Sequence, residues 1–216
     1  MMWRWKIAQA AEIRWWQLYL KDKDPKAYLA WKGQYWTNLL ANIGLEHIAP
    51  NAKCLDAGSS LAGIFMVLKQ QEVLAIDPLM EAYQKELPNF FQPQWYTHTL
   101  FEKGMLEDIK SQAQFDYVFC LNVINHVKDI KAALDKLWAS LKVGGTLVLS
   151  IDAHNYEIFK HIFRLIPADI LHPYQYNVKE YMAMLQAYAP EQKITVTTYK
   201  KEFFFNYYIL QIQKPL

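Results

Sequence analysis

The chain has 216 residues, with 23 Lys+Arg against 21 Asp+Glu and a net charge of +2. That length suits one large domain, or one domain with a small cap. With 53% hydrophobic and 20% charged residues, and Gly and Pro forming no repeat, the composition excludes disordered and collagen-like chains. The near-neutral balance also argues against a protein that coats nucleic acid through clustered positive charge, so no nucleic-acid partner is expected.

The opening, MMWRWKIAQAAEIRWW, is interrupted by Arg4, Lys6, Glu12 and Arg14. It is therefore not read as a signal peptide, although AQA resembles a cleavage site. Six of the eight Trp fall in the first 36 residues. Trp3, Ile7, Ala11, Trp15 and Leu18 recur at steps of three and four, which predicts one apolar helix face. Asp24 and Pro25 open a second helix that Gly44 ends, with a stripe of Tyr28, Trp31, Tyr35, Leu39 and Ile43. Residues 1–45 are read as a helical cap, and 46–216 as the main domain.

From Asn51 short apolar runs alternate with helical stretches. KCLDAG, EVLAID, a strand within PQWYTHTLFEKG, FDYVFCLN and GGTLVLSID read as strands. LAGIFMVLKQ, PLMEAYQKEL and KDIKAALDKLWASLK read as the helices between them. After Ala153 come a helix NYEIFKHIFRLI, a His/Pro/Tyr loop and a helix KEYMAMLQAYA. KITVTTYKK and FFFNYYILQIQ then form a hairpin. The alternation implies a parallel sheet covered on both faces, with an antiparallel edge from the hairpin. Cys54 and Cys120 are too few for a disulfide framework and are expected to be reduced and buried, in a cytoplasmic protein. No run reaches the roughly 18 apolar residues that span a bilayer, and no stable membrane association is expected.

The informative stretch runs from Cys54 to Ile64. A strand ends in Asp56, turns through Ala57, Gly58 and Ser59, and is expected to enter a helix whose free amides face a ligand. Asp77 follows Gly58 by nineteen residues. A carboxylate at the end of the second strand can accept both hydroxyls of a ribose. Nicotinamide and S-adenosylmethionine sites share this spacing. Zinc-ligand spacing, a phosphate loop and a Gly-x-Ser-x-Gly elbow are all missing, so no metal is expected.

Asp-x-Gly in the first loop, FDYVFCLNVINHVKD, LKVGGTLVLS and the hairpin together resemble class I S-adenosylmethionine-dependent methyltransferases of the small-molecule type, over roughly residues 50–215. The resemblance implies a Rossmann-like three-layer α/β sandwich with strand order 3-2-1-4-5-7-6 and the last strand antiparallel. It implies that S-adenosylmethionine is the cofactor. Asp56, Ala57, Gly58 and Ser59 would line its methionine end, Asp77, Pro78 and Leu79 the ribose, and Met105 and Leu106 the adenine. Leu121 and Asn122 would lie under the methionine portion. Ser60 stands where a Gly is usual. Met105 stands where many relatives have an Asp for the adenine amino group, a contact that Glu107 or Asp108 could supply.

Methyl transfer needs alignment of the acceptor and exclusion of water, with a base for a hydroxyl or protonated amine. His126 is the first candidate base, because His titrates near neutrality. His172 and Tyr176 come second, Asp152 and His154 third. The expected acceptor is a small or medium-sized molecule, methylated at O or N between cap and sheet edge. Trp16, Tyr19, Tyr35, Asn125, His154, Tyr174 and Tyr176 are its expected contacts. Exposed aromatics of the cap would also suit a homodimer. The alternative is a non-catalytic cofactor-binding or interaction module on a degenerate methyltransferase fold.

Overall fold

The computed structural model describes residues 2–154, 176–201 and 205–216. Seven strands form one sheet in the order β3-β2-β1-β4-β5-β7-β6. They are β1 Lys53–Ala57, β2 Glu72–Ile76, β3 Thr99–Glu102, β4 Phe115–Cys120, β5 Leu141–His154, β6 Thr195–Lys201 and β7 Phe205–Gln213. Strands β1 to β5 pair in parallel, whereas β7 runs antiparallel to both β5 and β6. The expected strand order and antiparallel last strand are both present.

Among the described residues five helices cover the sheet: α1 Met2–Leu20, α2 Pro25–Asn42, α3 Met80–Glu86, α4 Ile130–Ser140 and α5 Val178–Gln186. Side chains alternate along each strand, so the sheet separates two cores. Cys54, Phe119, Val148 and Ile209 point into the core under α1, α2 and α3. Leu55, Val118, Cys120, Leu149 and Leu210 point into the core under α4 and α5. Cys54 and Cys120 are thus fully buried on opposite faces, and both are free thiols.

Local chemistry accounts for the helix starts. The Asp24 carboxylate accepts the Ala27 amide at 2.8 Å, with Pro25 in the first turn. Asp129 caps α4 through the Ala132 amide at 3.0 Å, and Asn177 and Glu180 form a reciprocal capping box on α5. Gly44 follows α2 with φ +72°, a conformation that suits glycine.

Three expectations are corrected. The stretch LAGIFMVLKQ is not a helix. Only a 3-10 turn forms there, Ile64–Met66. Core side chains take the backbone groups a helix would pair: Asp56 accepts the Phe65 amide at 3.1 Å, and Trp36 Nε1 donates to the Ala62 carbonyl at 2.8 Å. Residues 61–68 are buried except for half-buried Val67, so only Lys69 and Gln70 face solvent and the stretch has no polar helix face.

The second correction concerns α1. Trp15 and Leu18, expected on the inner face, are 52% and 58% exposed. Leu20 is buried, and Ile13 and Trp16 pack against the core in their place. The helix is apolar on more than one side, and Tyr83 of α3 meets Trp16 edge-on at 6.5 Å.

The third correction is in α2, where Trp31 is 54% exposed while Trp36 is buried. Helix α2 shares one core with the sheet: Trp36, Leu39 and Leu40 join Phe65, Val148 and Ile209. Burial of each such side chain stabilises the fold by roughly 1.5–3 kcal/mol. The expected helix NYEIFKHIFRLI and most of the His/Pro/Tyr loop lie outside the described residues.

Candidate cofactor and acceptor site

The C-terminal ends of β1, β2 and β4 meet beneath the cap. Asp56, the fourth residue of β1, is 2% exposed and points to the cap side. Burial raises its carboxyl to about 7, and the nearby charge of Asp77 adds to the rise. The amides of Gly58 and Ser59 then donate to the Ile76 carbonyl at 2.7 and 3.2 Å, which clamps the first loop onto the end of β2. Gly58 has φ +76°, and a Cβ there would lie 2.4 Å from Val123 of the loop after β4.

Asp77 follows directly on β2 and is 6% exposed. Its two oxygens accept separate amides, Oδ2 from Ser60 at 2.9 Å and Oδ1 from Leu79 at 2.8 Å. Burial raises this carboxyl to about 7 as well, against the opposing pull of those amides. Ser60 has φ +55°, which explains why glycine is favoured at this position. Its hydroxyl is buried without a hydrogen-bond partner. Ala57 and Leu79 are buried and Pro78 half-buried. The loop thus presents its amides to Ile76 and Asp77 rather than from the N-terminus of a helix.

Gly104 donates to the Asp77 carbonyl at 3.3 Å, which brings half-buried Met105 and buried Leu106 beside the end of β2. Glu107 is engaged elsewhere: Oε1 accepts the Lys128 and Asp129 amides at 2.8 and 3.1 Å. Asp108 is exposed. After β4, Leu121 is buried, and Asn122, with φ +60°, donates its amide to Ser150 Oγ at 2.7 Å. Buried Asn125 accepts the Tyr181 hydroxyl, and Tyr176 packs edge-on against Tyr181 at 5.6 Å. His126 ends the 3-10 turn Ile124–His126 with an exposed side chain.

A second cluster lies under α2. Tyr35 meets Trp36 at 4.8 Å and Tyr199 of β6 at 5.8 Å, and Tyr199 in turn meets Tyr207 of β7 at 5.8 Å. Burial raises the Tyr35 phenol, which also faces Tyr207, Asn122 and the charge of Asp152. Lys32 stands over the rings of Trp31, Tyr35 and Trp36 at 5.6, 5.2 and 5.1 Å, and burial lowers its ammonium to about 8.

Among the expected acceptor contacts, Tyr35 is therefore in this cluster. Trp16 lies against Tyr83, and Tyr19 stacks on Trp15 at 4.9 Å on the outer side. His172 and Tyr174 lie outside the described residues, as does the side chain of His154, whose backbone pairs with Phe205. Sequence reasoning missed Trp36, Ser150, Tyr199 and Tyr207. Only the aromatic content of the C-terminal hairpin hinted at the last two. Among the described residues no group of three His, Cys, Asp or Glu could hold a metal, and no helix is long and apolar enough to cross a membrane.

Residues 55–147, from β1 into β5, match the methyltransferase domain family. That stretch is similar to a methyltransferase domain. The chain has the class I Rossmann-like fold of several solved structures. The YcgJ protein of Bacillus subtilis is 15% identical with a TM-score of 0.65, over 85% of this chain and 99% of that one. Magnesium protoporphyrin IX methyltransferase of Synechocystis, solved with S-adenosylhomocysteine, is 20% identical with a TM-score of 0.60, over 84% and 83%. A phosphoethanolamine N-methyltransferase of Haemonchus contortus, solved with S-adenosylmethionine, is 14% identical with a TM-score of 0.62, over 84% of this chain and 53% of that one. No curated protein matches the sequence.

Proposed function

We propose that this protein is a methyltransferase that binds S-adenosylmethionine at the ends of β1 and β2 and methylates a small or medium-sized acceptor, at oxygen or nitrogen, between α2 and the sheet edge. The observation that carries this reading is Asp77: a buried carboxylate at the end of β2, next to a glycine turn and an unpartnered Ser60 hydroxyl. Such a group suits a sugar diol, because each oxygen keeps a lone pair after accepting one amide. Asp56, Gly58 and Ser59 would hold the methionine end, Met105 and Leu106 the adenine, and Leu121 and Asn122 the floor. When bound, the cofactor supplies a methyl group on a sulfonium, a leaving group already activated by its charge.

The chain's own residues then have three tasks. Asp56 and Asp77 orient the ligand and oppose its positive charge. Trp36 and Tyr35 cover the site and exclude water, and Trp36 also fixes the first loop through Ala62. A base takes the acceptor's proton where one must leave. His126, exposed at the end of the 3-10 turn after β4, is the first candidate, with Asp152 beside the tyrosine cluster and His172 as further ones. The small-molecule acceptors named for the structural neighbours, a porphyrin and phosphoethanolamine, support an acceptor of this size class.

Thermal unfolding with S-adenosylmethionine, S-adenosylhomocysteine, NAD and NADP tests the reading. Ligand at ~100 times its dissociation constant adds about 2.7 kcal/mol of stability. A rise in Tm with the sulfur nucleotides alone is expected. A rise with NAD alone would replace the reading with a nicotinamide site. A second reading, cofactor binding without turnover, draws on Met105 and on the engagement of Glu107 by the Lys128–Asp129 turn. Failure of every acceptor in a screen, despite tight cofactor binding, would favour it.

A further inference from the structure

Helix α1 places an ionisable side chain close to the end of β2. Glu12 projects from α1 toward α3, where the hydroxyl of fully buried Tyr83 donates to its Oε1 at 3.2 Å. Trp16, one turn along α1, is a second hydrogen-bond partner of Glu12 and packs edge-on against Tyr83. The charges of Glu12 and Asp77 act on each other, and both act on Tyr83. A carboxylate on the inner side of an apolar helix is costly unless it has a task there, and burial raises the Glu12 carboxyl accordingly. The Tyr83 and Trp16 donors compensate it only in part, since burial still raises the carboxyl. Fastening α1 to α3 does not require Glu12, because Gln17 Nε2 also reaches Glu86 at 3.4 Å and Trp16 supplies apolar contact.

We propose that Glu12 belongs to the cofactor site: the cap helix contributes a second acidic acceptor beside Asp77 for the nucleoside sugar, so that seating α1 and holding the cofactor are one event. This rests on the reading of the site as one for S-adenosylmethionine. Glu12 binds rather than reacts. Its carboxylate shares the donors of the sugar with Asp77, and Tyr83 holds it in position. Loss of the cofactor then leaves α1 held by the Glu12–Tyr83 hydrogen bond, Trp16, Gln17 and neighbouring apolar contacts.

The test is titration of the full-length protein with S-adenosylhomocysteine, together with hydrogen exchange over residues 9–20. Glu12→Gln keeps the size and removes the charge. It is expected to weaken binding about tenfold or more at an unchanged Tm, and to abolish the slowing of α1 exchange that the ligand causes in the wild type. Tyr83→Phe removes the donor that positions Glu12 and is expected to weaken binding less. Gln17→Ala, which breaks only the outer tie, is expected to bind as the wild type does. If Glu12→Gln binds normally and still protects α1, while Asp77→Asn binds poorly, the proposal falls and the cofactor reading stands. If the wild type does not bind the ligand, both fall together.

Discussion

The Asp77 carboxylate accepts the backbone amide of Ser60 at 2.9 Å, and Ser60 holds a left-handed conformation at φ +55° to donate it. The first loop and the end of β2 are thereby locked to each other. A residue with a Cβ pays for that geometry, typically by about 1 kcal/mol. Ser60→Gly removes the strain and the unpaired hydroxyl together. It is expected to raise Tm by a few degrees and to leave S-adenosylhomocysteine affinity equal or tighter. Thermal unfolding and calorimetric titration check both. A lower Tm would mean that the Ser60 hydroxyl contributes a contact.

Asp77→Asn keeps the volume but presents an amide nitrogen where one oxygen now accepts a backbone N–H. Hydrogen bonds to a charged group contribute roughly 1.5–3 kcal/mol. S-adenosylhomocysteine affinity is therefore expected to fall by roughly tenfold to a hundredfold. Unchanged affinity in a calorimetric titration would remove Asp77 from the ribose site.

The protein without cofactor is expected to be more stable at pH 6 than at pH 8. Asp56 and Asp77 both stand at about 7 in the folded state, against 3.8 when free. Between those values the folded chain binds more protons than the unfolded one, so stability falls as pH rises through this window. Tm measured from pH 5.5 to 8.5 reads the slope, and Asp77→Asn should flatten it. Because a sugar diol needs ionised acceptors, S-adenosylhomocysteine affinity should run the other way and strengthen from pH 6 to pH 8.

Trp36→Phe tests the tie between cap and loop. The substitution leaves the Ala62 carbonyl, now paired at 2.8 Å in the core, without its donor. Such a loss costs about 1–3 kcal/mol. A Tm lower by several degrees is expected, with weaker cofactor binding because the loop then moves. An effect on Tm alone would make Trp36 a core residue only.

His126→Ala is expected to lower turnover by about 100-fold, the scale of general-base catalysis, with cofactor affinity within twofold of the wild type. Steady-state rates on whichever acceptor a screen yields, beside titration of the cofactor, separate the two effects. The opposite pattern would place His126 in the cofactor site or in the fold.

Much of the architecture was legible in the order of residues. The alternation of apolar runs and helical stretches, with a hairpin at the end, was enough for a parallel sheet with an antiparallel edge, because parallel strands need crossovers and consecutive antiparallel strands need only a turn; the strand order came from the resemblance to class I methyltransferases. Asp24, Pro25 and Gly44 marked α2 through local backbone chemistry. Asp56, Gly58 and Asp77 stood out because a strand-end acid, a tight turn and a second acid at fixed spacing are local features too. Which helix face turned inward was not legible. Trp15 and Trp16 are equally apolar in the sequence, and only the docking of Tyr83 makes Trp16 the inner one. The missing helix after β1 was likewise decided at a distance: Trp36 and Asp56 capture its backbone groups from elsewhere in the chain. The meeting of Glu12 with Tyr83, and of Tyr35 with Tyr199, joins residues 71 and 164 positions apart. Periodicity and spacing report what neighbours along the chain impose. Contacts of that range exist only once the sheet has brought the two ends of the chain to one edge.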